Sequence, residues 1–166
     1  MTEATLREVM RTFPQGVAVV TAAGSEGPRG ITVSSFLSLS LDPPRVLVSI
    51  NKDSRAHEAI ERGRFAVNIL AEDQGAVSDH FAQPKLTSEE QFRGIAVEGE
   101  LPKLSGCLSY LECRVVERVS ASDHTMFIGE VERAELGREG NPLVFFSRQY
   151  WGLGSTVHQR DQGTSS

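Results

Sequence analysis

The stretch GITVSSFLSLSLDPPRVLVSI, residues Gly30–Ile50, decides how this chain folds. It reads as two extended segments, Gly30–Leu41 and Arg45–Ile50, broken by Asp42-Pro43-Pro44. Proline fixes φ and removes a ladder donor, so the paired prolines end the first strand. Side chains of an extended chain alternate between two faces. Ile31, Val33, Ser35, Leu37, Leu39 and Leu41 then form the expected core face, with Ser35 the misfit. Thr32, Ser34, Phe36, Ser38 and Ser40 form the other face, which is polar but uncharged. A solvated strand face would normally carry Lys or Glu. The hydroxyl row therefore points to a surface covered by a ligand rich in donors and acceptors, or by another subunit. The plainer alternative is a sheet that tolerates Ser and Thr at β positions.

Outward from this stretch, strands dominate. Thr2 caps a helix over Glu3–Thr12, with Leu6, Val9, Met10 and Phe13 on one side. Gly16–Ala22 is a strand, and Gly24–Gly30 is a turn rich in breakers. Asp53 or Ser54 caps a short helix over Arg55–Arg62 that ends at Gly63. Arg64–Leu70 is a strand, and Asp73 caps a second short helix running toward Phe81. Residues Gln83–Gly94 read as a polar loop, and Ala96–Glu98 as a short strand. Cys107–Ser120 and His124–Leu136 are long alternating strands joined at Ala121–Asp123, and Pro142–Ser147 follows a turn. About eight strands against three helices, joined by short turns, predict a mainly β protein whose antiparallel sheet closes into a barrel. One domain is expected over residues 1–154, with a polar tail over residues 155–166.

Composition removes several classes. The net charge is −5 and no Lys/Arg cluster exceeds two adjacent residues, so no nucleic-acid footprint exists. No apolar run approaches the roughly 18 residues of a membrane span. The N-terminus lacks a signal peptide's apolar core, so a cytoplasmic protein is expected. Cys107 and Cys113 would stand about 20 Å apart along one strand, too far to bridge, and are expected as buried thiols. No G-x-G-x-x-G opens a helix, no P-loop is present, and no G-x-S-x-G surrounds a serine. His57, His80, His124 and His158 show no metal-binding spacing, so no metal is expected.

Four motifs stand in order: FPQGVAVVTA, the Gly30–Ile50 stretch, FAVNIL and SDHTMFIGEV. Together they resemble the short-chain flavin reductases of two-component monooxygenases, in the flavin reductase-like, FMN-binding split-barrel family. The resemblance covers about residues 5–153. It implies a Greek-key split β-barrel, a homodimer with sites near the interface, and reduction of FMN or FAD by NADH or NADPH. The reduced flavin would serve a separate flavin-dependent monooxygenase.

The same resemblance distributes roles. Thr32, Val33, Ser34 and Ser35 match the segment along the isoalloxazine ring, where short side chains let backbone donors approach. Ser49, Ile50 and Asn51 match the strand beside the ribityl chain. Ser54 and Arg55 match the helix start that holds the phosphate. Phe81, Lys85 and Phe92 match the bordering loop, with Lys85 a phosphate partner. His124 is the expected catalytic residue near the nicotinamide, beside Asp123. Ser122 stands where the family usually has Gly. Arg148 and Tyr150 match a C-terminal nicotinamide-binding segment, and Trp151 is assigned to packing or an interface. Two other readings fit the same residues: a non-catalytic flavin carrier, and a flavoprotein passing electrons to a metal or corrinoid.

Overall fold

The computed structural model describes residues 2–95 and 97–155. Ala96 of the expected strand Ala96–Glu98, and residues 156–166 of the expected tail, lie outside the described residues. In chain order the elements are α1 (Glu3–Met10), β1 (Gln15–Gly16), β2 (Ala18–Gly24), β3 (Gly27–Val33), β4 (Phe36–Leu41) and β5 (Pro44–Asn51). There follow α2 (Arg55–Glu61), β6 (Arg64–Ile69), α3 (Gly75–Phe81), α4 (Ser88–Phe92), β7 (Val97–Glu98) and β8 (Lys103–Leu104). The chain continues through β9 (Ser109–Ala121), β10 (His124–Leu136), β11 (Val144–Phe146) and β12 (Gln149–Trp151).

Seven strands form one antiparallel sheet in the order β3-β2-β6-β9-β10-β5-β4. Its two edge strands, β3 and β4, are joined by Ser34 and Ser35 alone. A link that short spans only about 10 Å. The sheet must therefore roll until its edges meet, which produces a barrel with an open seam. The expected mainly β split barrel is the observed architecture.

The seam corrects the expected face assignment. The segment Gly30–Leu41 is not one strand, because the chain leaves β2 at Val33 and joins β5 at Phe36. The bend resets the alternation. Leu37, Leu39 and Leu41 are 56%, 42% and 89% exposed, while Phe36 packs against the barrel core. The hydroxyl of Ser35, the apparent misfit, donates to the Ser49 carbonyl at 2.9 Å and accepts from the Ser49 N–H at 3.2 Å. It extends the β4–β5 ladder across the bend with side-chain atoms.

The barrel core holds Val20, Val48, Ile50, Phe65, Val67, Cys113 and Phe127. A second cluster of Val17, Val19, Leu70, Phe81, Leu104, Cys107 and Leu143 lies on the other side of β2. Both faces of β2 are thus covered, which is why its sequence is an almost unbroken apolar run. Ser54 and Thr2 cap α2 and α1 as expected. Asp73 does not cap α3: Gln74 stands at that position without a side-chain cap, and Asp73 instead accepts from Arg138. The expected polar loop contains α4, held by a capping box between Thr87 and Glu90. The apolar side of α1 meets no core, leaving Leu6, Val9, Met10 and Phe13 exposed.

Cys107 and Cys113 are free and buried, as expected. Burial pushes their thiols up to about 11 and about 12. The thiolate is the reactive form. At pH 8 a disulfide reagent is therefore expected to titrate neither thiol in the native protein and both after unfolding. Stoichiometric labelling of the native chain would contradict this.

Candidate functional site

The free edge of β3 is where the barrel stays open. Gly30 lacks a strand neighbour there, and the Gln91 amide replaces one. Gly30 N–H donates to Gln91 Oε1 at 3.2 Å, and Gln91 Nε2 donates to the Gly30 carbonyl at 3.0 Å. A Cβ on Gly30 would lie 2.5 Å from two ring carbons of Phe81, so only glycine lets this ring lie on the strand. Phe81 is fixed edge-on by Phe92, with ring centroids 5.3 Å apart.

Two clefts adjoin at this seam. The first, about 260 Å³, is lined by Arg29, Asn51, Asp53, Ser54, Arg55 and Phe81 among others. Arg55 Nη1 donates to the Leu86 carbonyl at 3.4 Å, and the Ser54 hydroxyl accepts from the His57 N–H at 3.2 Å. The second, about 250 Å³, is lined by Val17, Thr32, Val33, Ser34, Ser78 and Tyr150 among others. Ala82 lines both. Here Thr32 Oγ1 donates to the Ser78 carbonyl at 2.6 Å, and Ser78 Oγ lies 2.8 Å from Tyr150 Oη. Tyr150 donates to Asp79 Oδ1 at 2.9 Å, so Ser78 is the donor to Tyr150. Burial raises the Tyr150 phenol above its ordinary value, which keeps it a neutral donor.

The structure brings together Thr32, Val33, Ser34 and Tyr150 in the second cleft, and Asn51, Ser54, Arg55 and Phe81 in the first. Ile50 is 1% exposed in the barrel core, so its side chain is not available to a ligand. Ser35 and Ser49 are bonded to each other. Phe92 stands behind Phe81. Lys85 is exposed and absent from the lining of both clefts, because Pro84 and Leu86 carry the wall. Arg148 is likewise not brought to the clefts. Ser147 and Arg148, at φ +50° and +66°, form the left-handed tip of the β11–β12 hairpin. Tyr150, its strand neighbour, is the one that reaches the second cleft.

His124 starts β10 directly opposite Asn51. Facing residues of an antiparallel pair share a side of the sheet, so His124 stands beside the rim of the first cleft. Its Nδ1 donates to Asp123 Oδ1 at 2.9 Å, which leaves Nε2 as the ring's outward position. The same contact holds the Asp123 carboxyl below its ordinary value, so it stays ionised. Ser122 keeps a left-handed backbone at φ +53°, with Lys52 donating to its carbonyl at 2.6 Å. Ser122→Gly relieves that strain and is expected to stabilise the fold by about 0.5–1 kcal/mol. A denaturant midpoint at or below the parent's would contradict it.

Arg29, Gln91, Ser78 and Asp79 were not evident as site residues from the sequence. Arg29 falls inside what reads as a turn, although β3 already begins at Gly27. The capping box Thr87-x-x-Glu90 was the one local signal that a helix would carry Gln91 to the seam.

Comparison with known proteins gives a consistent result. The profile of the flavin reductase like domain matches residues 10–154. The chain is 41% identical over 146 residues to the reductase component of 4-hydroxyphenylacetate 3-monooxygenase from Thermus thermophilus, covering 87% of this chain and 92% of that protein. It is 42% identical over 151 residues to the FMN reductase (NADH) SmoA of Agrobacterium fabrum, covering 86% of each. Among solved structures, the Streptomyces globisporus NADH:FAD oxidoreductase SgcE6, in complex with NAD and FAD fragments, superposes with a TM-score of 0.85 at 34% identity, covering 93% of this chain and 94% of that one. On this match across nearly its whole length, the chain belongs to the flavin reductase like family.

Proposed function

We propose that this chain is an NAD(P)H-dependent flavin reductase that passes a hydride from the nicotinamide to FMN or FAD and supplies reduced flavin to a partner monooxygenase. One observation carries the reading: two adjoining clefts of different chemistry. The second is lined by uncharged hydroxyls and Tyr150, which suits a flat heterocycle with several hydrogen-bonding atoms. The first contains Arg29 and Arg55, which suits a phosphate. When bound, flavin supplies the two-electron chemistry. The chain supplies position. Ser34 offers a short polar side chain and backbone at the ring. The Thr32–Ser78–Tyr150–Asp79 series of hydrogen bonds holds the wall of that cleft rigid. His124, oriented by Asp123, presents Nε2 to the incoming nicotinamide at the rim. Most of the rate gain then comes from orientation of the two rings.

The chain acts as a cytoplasmic homodimer in this reading. The exposed leucines of β4 and the uncovered side of α1 offer apolar surface for a second copy. Mixing protein, free flavin and each nicotinamide nucleotide, and following the nicotinamide absorbance, tests the activity. Flavin-dependent oxidation is expected. Tight flavin binding without oxidation of either nucleotide would replace the reductase by a flavin carrier.

A further inference from the structure

We propose that Arg29 is the charged anchor for the phosphate of the bound flavin and sets this chain's preference for FMN over unphosphorylated riboflavin. The proposal rests on the first cleft being a flavin site. The Arg29 side chain is only 8% exposed. A buried guanidinium is costly unless its donors are paired. Its Nη2 has one acceptor, Glu26 Oε2 at 3.3 Å, on a side chain that is 83% exposed. Its Nη1 is buried with no hydrogen-bond partner among the described residues. An unpaired cationic donor at the wall of a cleft calls for an anion.

The surroundings say on which side the anion sits. Arg29 and Arg55 line both the first cleft and a neighbouring one of about 290 Å³. The neighbour also holds Glu26 and Glu58, whose carboxylates repel a phosphate. The first cleft adds Asn51 and Ser54, with Asp53 its one acidic member. The Ser54 hydroxyl accepts from His57 and keeps its own proton to donate. The Arg29 stem runs close over Gly24, where an added Cβ would lie 3.3 Å from Arg29 Cγ. A planar guanidinium fork matches phosphate oxygens better than a flexible ammonium does.

Titration of flavin fluorescence against the wild-type chain, Arg29→Gln and Arg29→Lys tests the assignment, with FMN and riboflavin as the probes. Arg29→Gln is expected to weaken FMN binding about 10- to 100-fold and riboflavin binding less than about 2-fold. Unchanged FMN affinity, or equal losses for both flavins, would overturn the proposal. Where Arg29→Gln does not fold, Arg29→Lys decides, since it keeps the charge and loses the fork. A fall in the FMN-to-riboflavin ratio supports the role, and an unchanged ratio overturns it. Failure of either flavin to bind the wild-type chain overturns the flavin-site reading and this proposal together. Intact binding with an unchanged ratio overturns this proposal alone.

Discussion

Phe81→Ala is expected to lower stability by about 3–5 kcal/mol, the usual cost of emptying a buried phenylalanine site. Phe81 is 1% exposed and belongs to the cluster that packs the outer side of β2. It also touches Gly30 on one side and is braced by Phe92 and His80. The ring is a wall of the first cleft, so the same variant should lose flavin affinity. Gly30→Ala probes the contact from the other direction. Its new methyl would stand 2.5 Å from the ring, and overpacking of this kind costs about 1–3 kcal/mol. Because the two changes act on one space, the double variant should be more stable than the sum of the two losses predicts. Denaturant unfolding of the four proteins measures this. A Phe81→Ala cost below about 1 kcal/mol, or strict additivity, would refute the packing described here.

Gln91→Leu is expected to cost about 2–5 kcal/mol, because it strands two buried backbone groups at once. Gln91 is 6% exposed, and its amide satisfies both the N–H and the carbonyl of Gly30 at the edge of the barrel. Leucine keeps the bulk and removes both partners. Gln91→Glu retains an acceptor for the Gly30 N–H but none of the donors that the carbonyl needs, so it should fall between leucine and the parent. Native-state hydrogen exchange at Gly30 gives a local reading. The amide should lose protection in Gln91→Leu. Unchanged protection together with unchanged stability would show that water replaces the side chain without loss.

Much of this fold was legible because the deciding signals are local. Ser54 caps α2 through a hydroxyl three residues from its partner, and the long alternating strands β9 and β10 are joined by a turn short enough to make them neighbours. The change of partner at Ser34–Ser35 was not legible. Alternation reports faces, not neighbours, and here the neighbour changes from β2 to β5 within two residues. That is why Leu37 and Leu39 looked like core and why Ser35 looked out of place. Of the hydroxyl row, Thr32 and Ser34 line a cleft, whereas Ser35 completes a ladder. Arg148 illustrates another limit. The family resemblance gave it one pocket with Tyr150, but Arg148 itself takes the left-handed conformation at the tip of the β11–β12 hairpin, and only Tyr150 reaches the cleft. Arg29 was hidden by its glycine and proline neighbours, which read as turn although they lie in a strand.

As proposed, the seam of the barrel holds a flavin with its ring against Thr32–Ser34 and its phosphate toward Arg29. A crystal structure of the chain grown with excess FMN tests this most directly. The isoalloxazine is expected in the cleft shared by Ser34, Ser78 and Tyr150, with phosphate oxygens within hydrogen-bonding distance of the Arg29 guanidinium. A ring bound elsewhere, with Thr32 and Ser34 closed over by the chain's own side chains, would contradict it.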